Sequence, residues 1–200
     1  VGAFVLFGIG SIPAGRLGDL WGRRRMMVVF YVGMGLSGLL VAATQSPWQM
    51  ALALTLMGAF SAIYHPVGIP FLVQRSTTPG LTIGINGLAG NMGIALAALS
   101  TGFWVQYFGW RMAFVMPSLL SLVCAWLFWR HAPPEASAPA KKNNTSVHLP
   151  KNLAMRTLLV MIGSAITTSV LFNFTTNGNA QLLAVHQHNE AQAAQDVVQR

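Results

Sequence analysis

The chain has 200 residues, of which 54% are hydrophobic and only 8% charged, against about 25% charged in an ordinary soluble domain. Twelve Lys and Arg face four Asp and Glu, for a formal net charge of +8. That balance excludes a soluble globular domain, and because the cations sit at the ends of apolar blocks instead of on one solvated face, it also argues against a nucleic-acid surface.

The apolar residues fall into blocks of about 20, the length that crosses a hydrocarbon core of roughly 30 Å. Helices are the reading, since every backbone polar group in lipid must be satisfied internally and the blocks lack barrel-strand alternation. Six spans are predicted: Val1 to about Gly15, Met26 to Ala43, Trp48 to Gln74, Leu81 to Gln106, Trp110 to Trp129, and Arg156 to about Leu183.

The first joint, "GRLGDLWGRRRMM", has the composition of a polar latch. Gly15 and Gly22 suit tight turns and close helix approach, Asp19 is the acid closest to an apolar block, and Arg23, Arg24 and Arg25 are donors at the membrane surface. An acid beside such donors closes a contact that can break when a bundle rocks.

The third span carries "SAIYHPVGIP". Pro66 and Pro70 each remove a backbone donor and predict a kink that frees carbonyls one turn earlier. Tyr64 is a candidate for lining the path, and beside it lies His65, the one ionisable side chain deep inside a complete span. Two roles stay open for it: carrying protons or touching substrate, or holding a helix joint through a hydrogen bond to Asn or a carbonyl.

In the fourth span Gly80, Gly84, Gly87 and Asn91 recur at steps of four, three and four, with Gly90 on an adjacent small stripe. Such residues let membrane helices pack closely, so Gly84, Gly87 and Gly90 are expected at a helix contact. Asn86 and Asn91 are candidates for lining the path. Counting from the nearest joint places His65 and Asn91 both roughly 15 to 17 Å deep, near the midplane.

Residues 132–155 form a polar linker rich in Pro, Ala, Asn and Lys. In the last block, 156–183, Asn173 and Thr176 are further path candidates, and 184–200 is too polar to span lipid. Cys124 reads as a packing residue, His186 and His188 make a poor metal pair, and no metal or other cofactor is expected. No nucleophile, base and orienting acid occur together, so no enzyme is indicated. The strongly basic joints are the first and the fifth, which alternation puts on one side; the positive-inside rule makes that side, and the linker, cytoplasmic.

The first joint resembles the motif between the second and third helices of the major facilitator superfamily: Gly15, Asp19, Gly22, Arg23 and Arg24 fit it, while Leu20 stands where the family usually has Arg. "YHPVGIP", "GINGLAGNMGIALAALSTGF" and "GWRMAF" resemble the fosmidomycin-resistance-like drug and metabolite exporters within it. The resemblance implies an all-α integral membrane protein, a partial bundle of about six of twelve helices. Residues 1–131 would be helices 2 to 6, 132–155 the cytoplasmic connection between halves, 156–183 helix 7, and 184–200 an external loop or an altered reading frame. It further implies a multi-pass protein of the bacterial inner membrane, contacting the bilayer, a small-molecule substrate, protons and a missing second half. The expected activity is proton-coupled efflux by alternating access; the alternatives are a proton-linked importer of sugars or organic acids, and a truncated remnant that does not transport.

Overall fold

The computed structural model describes residues 2–133, 150 and 152–171. These belong to two units, Val1–Ala140 and Lys141–Arg200, each described by itself. In the first unit the elements are α1 (Gly2–Trp21), α2 (Arg23–Ala43), α3 (Pro47–Ser61), a π-helical turn (Tyr64–Gly68), α4 (Ile69–Val73), α5 (Pro79–Phe108) and α6 (Trp110–His131). The second unit contributes α7, Asn152–Leu171. With α3, the π turn and α4 joined as one span, six helical segments are long and apolar enough to cross a membrane.

The all-α membrane architecture expected from the apolar blocks is therefore what forms, with longer helices at two places. Helix α1 continues through Gly15 to Trp21, so the latch motif lies on the last turns of a helix and not in a loop. Only Gly22 breaks it, at φ 95°, a conformation that glycine adopts without Cβ strain. Gly109, at φ 84°, makes the equivalent break between α5 and α6. Helix α7 starts at Asn152, four residues before the expected Arg156. The Pro150 carbonyl accepts from the Leu153 and Ala154 N–H groups at 2.9 and 3.0 Å and pulls the first turn into register.

Helix α3 begins where the sequence chemistry demands. Ser46 has extended dihedrals, its hydroxyl accepts from the Gln49 N–H at 3.3 Å, and Pro47 occupies the first helical position, where a missing N–H costs nothing. Gln49 returns the favour by accepting from the Gln45 N–H at 2.9 Å.

Helix α2 is the centre of the unit and packs on α1, α3, the π turn and α6. Its small buried residues Gly33, Gly35, Ser37 and Gly38 allow this. A Cβ at Gly35 would lie 2.6 Å from Leu122 Cγ, and one at Gly38 would lie 3.3 Å from Met57 Cε. Membrane helices lacking a hydrophobic driving force associate through this kind of close van der Waals fit. Around Met26, Met27, Ile63 and Val67 the buried core gathers Phe30, Tyr31, Phe60, Tyr64 and Phe128. Helix α5 packs on α4 and α6 but buries no residue completely.

Candidate functional site

The site grows from the prolines of the third span. Without an N–H, Pro66 and Pro70 cannot continue the regular ladder, and the chain widens to a π turn over Tyr64–Gly68. One wide turn advances the facing of everything after it by about 100°. Tyr64, which opens the turn, is half-buried against α2 and α5, while His65 is exposed.

Tyr64 and Asn86, both named from sequence as path residues, are brought together: the Tyr64 hydroxyl donates to Asn86 Oδ1 at 2.6 Å. This bond joins the π turn to α5. Asn86 lies five residues nearer the α4–α5 joint than Asn91, about 7.5 Å along the helix. Asn86 is thus the α5 amide that the turn reaches, and Asn91 is exposed.

His65 touches ring edges: Phe7 of α1 at 6.1 Å and Tyr64 at 5.6 Å between centroids, both near perpendicular. Among the described residues no hydrogen bond reaches its imidazole. The amide expected to hold a joint through His65 is held by Tyr64 instead, which leaves both ring nitrogens of His65 available.

These rings continue into a series that sequence reasoning missed. From His65 and Tyr64 it runs to Phe30 at 5.5 Å, Tyr31 at 5.0 Å, Phe128 at 5.7 Å and Phe71 at 5.6 Å. Each such pair contributes about 0.5–1.5 kcal/mol beyond area burial. The series ties α2, α4 and α6 to the turn and fixes the pose of Tyr64. The one available signal was the adjacent pair Phe30 and Tyr31, the aromatic residues of α2.

The latch motif borders the same turn. A Cβ at Gly15 would lie 3.4 Å from Pro66 Cβ, and one at Gly18 would lie 2.9 Å from Val67. Gly18, not singled out from sequence, is the tighter of the two. At the end of α1, Asp19 and Arg23 pair at 2.9 Å, with Asp19 67% exposed. An exposed pair of this kind is worth about 0–1 kcal/mol and adds little to the stability of the fold. Arg24 instead donates across to the backbone carbonyl of Trp129 on α6. Leu20, in the position usual for Arg, is 68% exposed and contributes no charge. At the opposite end, Arg111 donates to the Thr44 carbonyl at 3.2 Å and ties α6 to the α2–α3 joint.

The glycines of α5 are not at a contact among the described residues: a Cβ at Gly84, Gly87 or Gly90 would meet nothing within 4 Å. Asn173 and Thr176, together with 134–149 of the linker and the tail 184–200, lie outside the described residues. Among the described residues no cluster of metal-ligating side chains occurs.

Among known proteins, the chain is 31% identical over 120 residues to a puromycin resistance protein of Streptomyces alboniger, covering 58% of this chain and 24% of that protein. It is 27% identical over 171 residues to the uncharacterized transporter YgaY of Escherichia coli O157:H7, covering 84% and 41%. With a gallate transporter of Pseudomonas putida it shares 26% over 132 residues, covering 64% and 29%. The chain thus spans well under two thirds of the length of each of these relatives. No solved structure matches it significantly. The family model of the Major Facilitator Superfamily matches residues 1–193, and the chain belongs to that superfamily of membrane transporters, which are not enzymes.

Proposed function

We propose that the chain forms most of one half of a secondary active transporter that exports small organic compounds in exchange for protons. The observation that carries this reading is the π turn: the Tyr64–Asn86 bond fixes its wall, and His65 beside it keeps both nitrogens unbonded among the described residues. An imidazole in that condition can take up and release a proton without dismantling the joint. The Asp19–Arg23 pair, which bridges the end of α1, whose Gly15 abuts Pro66, to the start of α2, is the latch that opens and closes as the halves rock.

The direction of export draws support from the relative named for puromycin resistance. The gallate transporter among the relatives supports a second reading, proton-linked import of organic acids. The fosmidomycin-resistance-like subgroup rests on the stretches "YHPVGIP", "GINGLAGNMGIALAALSTGF" and "GWRMAF". In this reading the protein sits in a bacterial inner membrane with 132–155 cytoplasmic, and Asn91, Asn173 and Thr176 join the path. The open small-residue face of α5, with Gly84, Gly87 and Gly90, receives another helix of the complete transporter.

The test is accumulation of puromycin-like compounds in an efflux-deficient bacterial host expressing a transporter that carries this segment with a second half. Export predicts lower accumulation in energised cells, restored by a protonophore. Energised uptake above the control would favour the importer, and accumulation unaffected by the protonophore would remove proton coupling.

A further inference from the structure

We propose that Arg24, Trp126, Trp129 and Arg130 form a binding site for the phosphate headgroup of an anionic phospholipid. Helix α2 starts with Arg23 and Arg24, and α6 ends with Arg130 and His131. The two helices pack antiparallel, so these ends coincide, as the bond from Arg24 to the Trp129 carbonyl records. Between them lies a cavity of about 300 Å³ lined by two guanidinium groups and two indoles.

Three observations point to an anion there. Arg24 Nε is buried and has no hydrogen-bond partner among the described residues, a state that costs free energy until an acceptor arrives. The one described acid of the unit, Asp19, is paired with Arg23 and so does not neutralise the cavity. Arg and Trp together also supply charged donors and indole N–H groups at the level where headgroups lie.

The choice of a lipid over a soluble phosphate comes from what continues below the cavity. Leu119, Val123, Trp126 and Arg130 follow at steps of four, three and four on α6, one helical face that ends at the guanidinium. Leu119, Val123 and Trp126 are 47%, 52% and 56% exposed. An acyl chain can lie along that stripe while its phosphate reaches Arg24 and Arg130; a free phosphate has no use for it. Basic pockets between membrane helices recognise anionic headgroups through this combination of charge and adjoining apolar surface.

The test is native mass spectrometry of the full chain in neutral detergent, titrated separately with dioleoylphosphatidylglycerol, dioleoylphosphatidylcholine and inorganic phosphate. The glycerol lipid is expected to bind saturably and at least about fivefold more tightly than the choline lipid. Arg130→Gln should weaken it by about fivefold, whereas Arg25→Gln, an exposed side chain outside the cavity, should not. A melting curve without lipid checks that Arg130→Gln folds; if it does not, Trp126→Leu is read in its place and should also weaken binding. Equal retention of both lipids, undiminished binding in the folded variant, or equal binding of inorganic phosphate would each overturn the proposal.

Discussion

Gly58→Leu is expected to separate α1 from α3 and to abolish the folded bundle, while Gly58→Ala lowers the melting temperature by several degrees. A Cβ on Gly58 would stand 2.6 Å from the Cα of Ala3, and the obstacle is backbone, which cannot rotate away as a side chain can. Relief requires α1 to move off α3, which also draws Gly15 and Gly18 from the π turn. Overpacking of this kind costs about 1–3 kcal/mol for a single methyl in a tight core. Thermal unfolding in detergent measures it, with Gly84→Ala in the same chain as the control. Nothing lies within 4 Å of a Cβ at Gly84, so that variant should melt at or slightly above the parent temperature. Equal destabilisation by Gly58→Ala and Gly84→Ala would contradict the packing described.

Tyr64→Phe is expected to cost about 1 kcal/mol of stability and most of the transport rate. The ring series survives, since the phenyl ring keeps its neighbours, but Asn86 Oδ1 loses its donor in a half-buried place. A double-mutant cycle with Asn86→Leu separates this bond from general damage. If the two side chains act through each other, the double variant is no less stable than the worse single one, a coupling of about 0.5–3 kcal/mol. Additive losses would mean that the two residues act independently and that the bond does not fix the wall.

The membrane spans were legible because their signal is length and composition, which survive any tertiary arrangement. Pro47 after Ser46, and Gly22 and Gly109 between apolar blocks, likewise carried their joints in local chemistry. The glycine, acid and arginine pattern of the first joint was legible as a motif, though not as the end of a helix, since nothing in "GRLGDLWG" forbids helix before Gly22. What the sequence hid depends on facing. The wide turn at Tyr64–Gly68 shifts every later side chain, so a regular helical wheel drawn from α3 misplaces the residues that follow it, and no wheel on one span shows that Tyr64 meets the Asn86 amide of another. The same holds for reach: spacing from the joints compares the depths of His65 and Asn91 but does not show that the Tyr64 hydroxyl meets Asn86. The aromatic series escaped notice because its members come from separate segments, and the α5 stripe because a small face announces closeness without naming a partner.

The central proposal is proton handling at His65, whose nitrogens are unbonded among the described residues while Tyr64 bonds to Asn86. The direct test is the pH dependence of transport in a complete transporter carrying this segment, measured in proteoliposomes for the parent and for His65→Gln. Gln keeps the polarity and approximate size of the ring but cannot change charge. A flattened profile is expected over the range in which an imidazole titrates, with the joint and the fold intact. A His65→Gln profile that follows the parent at every pH would contradict it.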